Sequence, residues 1–295
     1  MTRLLVASFV WAFSFGLIKK YLAGLDASFV AFIRLGLAGL LFLPLLRRQK
    51  DSPAAIVSLF LIGMVQFGLM YVFYIQAFRF LPAYQVALFT IFTPLYVALA
   101  DDLWTKRFRP LHLGTALLAV AGTALIVFSN WQRTHLVPGF LLVQASNLCF
   151  AVGQIAYRRL LPQHTDRSAR NGFAWLYLGG MTAALLAWLC FSPAFQSFPG
   201  GAQWLVLLYL GLAASGIGFF LWNTGATRVD TGVLAVFNNV KIPLAVLVSL
   251  LFFGEQTDGL RLLGGGGIIA LALWLNTRRE RVDSAPPSDR GKTGP

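Results

Sequence analysis

The chain has 295 residues, of which 57% are hydrophobic and only 12% charged, with a mean hydropathy of +0.70. So little charge excludes a soluble domain of this length. The formal net charge of +13 would suit nucleic acid, but the basic residues are scattered between apolar segments and build no aromatic-interleaved basic face. A nucleic-acid partner is therefore excluded, and a lipid bilayer is the expected surrounding.

Ten segments reach the roughly 20 apolar residues that a bilayer crossing takes. They run over 4–22, 28–46, 56–78, 84–104, 111–129, 139–157, 173–191, 204–223, 232–253 and 260–275. The runs are apolar all round without period two, which predicts helices and not barrel strands. The first has no convincing small-residue cleavage site before or after Lys19 and Lys20, so an uncleaved helix is expected. Basic residues gather in the loops after even-numbered segments, as at Arg47 and Arg48, Lys106 and Arg107, Arg158 and Arg159, and Arg278 and Arg279. The positive-inside rule then predicts that both termini are cytoplasmic. Residues 277–295 are polar and rich in Pro, Ser and Gly, the composition of a disordered cytoplasmic tail.

An internal repeat organises these segments. Ala77 is followed by Thr93-Pro94-Leu95, and Ala226 by Ile242-Pro243-Leu244 at the same separation, while Leu4 to Val6 and Phe13 to Gly16 are echoed by Leu141 to Val143 and Phe150 to Gly153. The expected architecture is an all-α membrane protein with ten transmembrane helices in two inverted five-helix repeats, 4–129 and 139–276. An odd number of helices per repeat forces opposite orientations, and transporters built this way bind their substrate between the halves near the midplane. One chain supplies both halves, so a monomer suffices.

Polar groups at membrane depth need partners, water or a ligand. In chain order the candidates are Trp11 and Ser14, Arg34, Gln66 with Tyr71 and Tyr74, Gln144 and Asn147 on one helical face with Gln154, Trp175 and Tyr177, Ser215 and Trp222 followed by Asn223, and Asn238 three residues before Lys241. Asn239 is turned by roughly 100° from Asn238. A lysine at the centre of a membrane helix costs about 3 kcal/mol, which makes Lys241 the leading candidate for substrate contact. Several of these have a plainer reading. Arg34 could snorkel to lipid phosphate. Gln154 could pack between helices, Trp175 and Tyr177 could belong to an interfacial belt, and Trp11 and Trp222 could be ordinary packing.

No nucleophile, base and orienting acid assemble, which points to a non-enzyme with no cofactor. Gly264 to Gly267 lacks the Lys-Ser/Thr of a phosphate loop, and His112, His135 and His164 have no metal-site spacing. Arg34 and Lys241 are the cations at membrane depth, while acids are confined to segment ends such as Asp101, Asp102 and Glu255. That balance predicts a small-molecule carboxylate as substrate, its remainder apolar or amide-like.

The stretches Trp11 to Phe15, Thr93 to Tyr96, Leu142 to Gln144, Ser146-Asn147, Ala214 to Gly218, Trp222-Asn223 and Asn238-Asn239 carry a resemblance over nearly the whole chain. It resembles the EamA branch of the drug/metabolite transporter superfamily, in the carboxylate/amino acid/amine group, and looks most like the biotin-transporting members of bacterial inner membranes. The resemblance departs at Lys241 and around Lys19 and Lys20. It implies alternating-access uptake of biotin, whose valerate carboxylate would meet Lys241 or Arg34. The ureido ring would meet Gln144, Asn147, Asn238 and Asn239, and Trp11, Tyr71, Trp175 and Trp222 would enclose the bicycle. An exporter of amino acids or related metabolites is the alternative on the same fold.

Overall fold

The structure, a computed structural model, describes residues 1–48, 52–106, 136–160, 166–192, 198–229, 231–254 and a few positions between 260 and 274. All regular structure among the described residues is helical. Seven helices are long and apolar enough to cross a membrane: α1 (Thr2–Leu22), α2 (Ala27–Leu46), α3 (Pro53–Ala77), α4 (Ala83–Thr105), α5 (Leu136–Leu160), α6 (Asp166–Phe191, apolar from Gly172) and α7 (Gly201–Ala226). An eighth, α8 (Thr231–Phe253), contains Lys241. The expected fifth segment, 111–129, and the tail, 277–295, lie outside the described residues, as does most of the tenth.

Local chemistry explains where these helices start. Asp26 caps α2 by accepting from the Phe29 N–H at 2.8 Å, and Ser52 caps α3 from the Ala55 N–H at 3.3 Å, with Pro53 in the first helical position. α1 ends in a π turn over Ile18–Leu22 and α2 in a tight turn from Leu43, and three further helices depart from α geometry inside the apolar span. In α4, Pro94 has no N–H for the Thr90 carbonyl; the Thr93 N–H serves it instead in a tight turn over Thr90–Phe92, and the Phe89 carbonyl is left to a neighbour. In α3 and α7 the chain widens into π turns over Met64–Leu69 and Tyr209–Ile217. Such turns misalign carbonyls and release them to side chains. The Ala214 carbonyl of α7 accepts from Trp11 Nε1 at 2.8 Å, and those of Ser215 and Gly216 accept from the Tyr177 hydroxyl at 2.7 and 3.0 Å.

The first four helices pack against the last four. The main contacts are α1 with α7 and α8, α2 with α6 and α7, α3 with α5 and α6, and α4 with α5. Where α3 crosses α6 the backbones touch: a Cβ on Gly63 would collide with the Leu176 carbonyl, and one on Gly179 with that of Phe60. Without a hydrophobic drive between helices in lipid, such small-residue contact supplies the packing energy.

Candidate functional site

The helices converge on an internal void of about 70 Å³. Trp11, Ser14 and Phe15 reach it from α1, Arg34 from α2, and Met70, Tyr71 and Tyr74 from α3. Thr90 and Thr93 come from the break in α4, Ser146, Asn147 and Phe150 from α5, Phe219 from α7 and Lys241 from α8.

Arg34 is buried and does not snorkel. Its Nη2 donates to the Tyr71 hydroxyl at 2.9 Å and to Ser215 Oγ at 3.2 Å, and those two oxygens are 2.8 Å apart. Its guanidinium lies over the Tyr71 ring, 4.2 Å from the centroid, while Nε and Nη1 are buried without an acceptor. Lys241 is buried in an aromatic box, with Nζ 5.2 Å from the Trp11 centroid, 5.4 Å from Phe150 and 5.6 Å from Trp222. Each desolvated ring contact is worth up to about 2 kcal/mol, so the box offsets much of the cost of the charge. It offers no lone pair, however, and among the described residues no acceptor bonds the ammonium.

Of the residues expected at the site, Lys241, Arg34, Asn147, Trp11, Ser14, Tyr71 and Tyr74 line the void together. Ser215 and Trp222 stand one layer behind: Ser215 holds Arg34, and Trp222 lies against Trp11 at 5.0 Å while its Nε1 donates to Gln154 Oε1 at 3.0 Å. Four others are turned to different work. Gln144 bonds Asn147 Nδ2 at 3.2 Å beside the Phe89 carbonyl, and Asn238 donates to Leu234 O at 3.2 Å within its own helix. Tyr177 is consumed by the α7 carbonyls, and Trp175 lies away from the void with Nε1 buried and unbonded. The Asn239 side chain lies outside the described residues. Thr90, Thr93 and Ser146 escaped the sequence reading, as did Phe150 and Phe219 as ligand-facing rings. The Thr93-Pro94 break was the available signal for the hydroxyls, since Thr90 is one turn before Thr93 on the same face. Among the described residues no three His, Cys, Asp or Glu side chains cluster as metal ligands do.

Buried cations around a void at the meeting of apolar helices characterise a small-molecule transporter of the membrane. The EamA-like transporter family model matches residues 2–128 and 137–277, and the chain belongs to that family. It is 42% identical to a probable biotin transporter of Pseudomonas aeruginosa over 95% of this chain and 99% of that one. It is 39% identical to the biotin transporter of Escherichia coli K12 over 98% and 97%. An aromatic amino acid exporter of Ancylobacter novellus is 28% identical over 68% of this chain and 71% of its own length. A crystal structure 20% identical, covering 96% of this chain and 99% of that one, has a TM-score of 0.67, a likeness of fold. The protein is a multi-pass membrane transporter and not an enzyme.

Proposed function

We propose that this chain imports biotin across the bacterial inner membrane by alternating access, with the ligand carboxylate received by Lys241 and Arg34. The carrying observation is that these two cations line one void while all eleven acidic residues of the chain lie between apolar segments, in the tail or at segment ends. An anion supplies what the unbonded N–H donors lack. Full-length likeness to biotin transporters narrows the anion, and biotin's apolar bicycle suits Trp11, Phe150 and Phe219.

The inverted-repeat reading draws support from the packing. If α1 corresponds to α5, α2 to α6, α3 to α7 and α4 to α8, the contact α1–α8 exchanges with α5–α4, α2–α7 with α6–α3, and α1–α7 with α5–α3, while α2–α6 maps onto itself. The π turns of α3 and α7 correspond as well, and the two stretches matched by the family model nearly coincide with the expected halves. A void of about 70 Å³ admits a few waters, far below the roughly 300 Å³ at which ligand pockets begin. On this reading the halves part to admit biotin. Both termini lie in the cytoplasm on the distribution of basic loops, and a monomer carries the whole site.

The exporter reading rests on the likeness to the aromatic amino acid exporter. An amino acid brings an ammonium group, which the two cations of the site repel and no carboxylate among its lining residues balances. Labelled biotin uptake in cells lacking their own importer and biotin synthesis tests the proposal. Uptake that depends on this chain is expected; no uptake despite correct insertion, or outward flux of amino acids, rejects it.

A further inference from the structure

Counting donors and acceptors divides the walls of the void into two kinds. Arg34 and Lys241 can only donate. On the α4 and α5 side the side-chain protons of Thr90, Thr93 and Asn147 are already spent. Thr90 Oγ1 donates to Ala87 O at 2.7 Å and Thr93 Oγ1 to Thr90 O at 2.6 Å. Asn147 Nδ2 donates to Phe89 O at 2.9 Å and to Gln144 Oε1 at 3.2 Å, which fixes the orientation of the amide. Lone pairs remain: two hydroxyl oxygens and Asn147 Oδ1, which Thr93 approaches at 3.2 Å with a proton it has committed elsewhere.

We propose that Thr90, Thr93 and Asn147 Oδ1 form an acceptor subsite that reads ring N–H donors on the ligand and sets specificity for a cyclic urea. This rests on the biotin reading, in which the carboxylate goes to the cations and the ureido ring brings two N–H groups. The break in α4 creates the subsite. Pro94 displaces the helix bonding so that the Phe89 carbonyl takes up one Asn147 amide proton, Gln144 Oε1 takes the other, and the Thr93 hydroxyl turns to Thr90 O. The amide is thereby left facing the ligand as an acceptor.

The test is displacement of labelled biotin from the purified full-length protein by biotin and by biotin methylated on a ureido nitrogen, with the melting temperature followed in parallel. Wild type is expected to prefer biotin by about tenfold or more, the cost of an unmet buried acceptor. Thr93→Val should weaken biotin binding about tenfold and narrow that preference to about threefold or less, and Thr93→Ser, which restores the oxygen, should recover the preference. Thr90→Val serves as the second variant should Thr93→Val fail to fold. A preference that survives in the folded valine variants overturns the subsite, as does a wild type that binds the methylated analogue as well as biotin. A wild type that binds no biotin at all overturns the biotin reading and this inference with it.

Discussion

Gln66 and Asn223 bond each other twice: Gln66 Nε2 donates to Asn223 Oδ1 at 3.0 Å, and Asn223 Nδ2 to Gln66 Oε1 at 3.3 Å, with both side chains wholly buried. The pair joins α3 to α7, which both carry π turns and supply Tyr71 and Ser215 to Arg34. Cutting one side strands the other. Gln66→Leu is expected to cost about 1–3 kcal/mol of stability, while the double variant with Asn223→Leu recovers part of it because no polar group is left unmet. Thermal unfolding of the four proteins in one detergent measures the cycle; additive losses would mean that the two amides do not act as a pair.

Lys241 has rings on three sides and no acceptor among the described residues, so its contribution to ligand affinity should depend on the charge of the ligand. Lys241→Met removes the ammonium and keeps an unbranched apolar chain for the box. Biotin binding should weaken by about tenfold or more, the scale of a lost charge-assisted hydrogen bond, whereas a neutral biotin amide should lose about threefold or less. Equal losses for acid and amide would reject the pairing with the carboxylate.

Gly218 sets the position of Trp11. A Cβ there would lie 2.8 Å from Trp11 Nε1, the atom that donates to the Ala214 carbonyl. Gly218→Ala therefore has to push the indole off its bond and tilt one wall of the Lys241 box. Uptake should fall about tenfold, with a loss of stability of about 1–3 kcal/mol as for other overpacked sites. Trp11→Phe relieves the clash, so the double variant should be no worse than Trp11→Phe alone. Competition uptake and melting temperatures together check this.

Some of this site was legible in the chain and some was not, for reasons that differ by residue. Lys241 and Arg34 stand out because a charge in an apolar run is expensive wherever the helix turns. Tyr71, Tyr74, Trp11 and Ser14 follow from being polar or amphipathic at the same depth. Tyr177 and Gln144 mislead because helix geometry itself makes acceptors: the π turn of α7 and the break before Pro94 release carbonyls that the nearest donors then occupy. Asn238 spends its amide one turn back on its own helix. Those distortions have no direct signature in composition, and a helix that is apolar all round conceals which face is inward. Seven of the described helices otherwise begin and end within three residues of the apolar segments read from the chain, while α6 starts earlier, at Asp166.

Tyr71 holds Arg34 in two ways, by its hydroxyl at 2.9 Å and by its ring face at 4.2 Å, and one substitution separates them. Tyr71→Phe keeps the face and removes the hydroxyl, leaving Ser215 as the acceptor for Nη2. The guanidinium should stay buried but lose its fixed orientation, raising the half-saturating biotin concentration about three- to tenfold with maximal uptake retained. Arg34→Lys tests the same point from the other side. A lysine keeps the charge but cannot reach both hydroxyls and a carboxylate with a planar fork, so its loss should exceed that of Tyr71→Phe. If Arg34→Lys transports biotin as the parent does, the charge alone is enough, and the clamp formed by Tyr71 and Ser215 has no part in orienting the ligand.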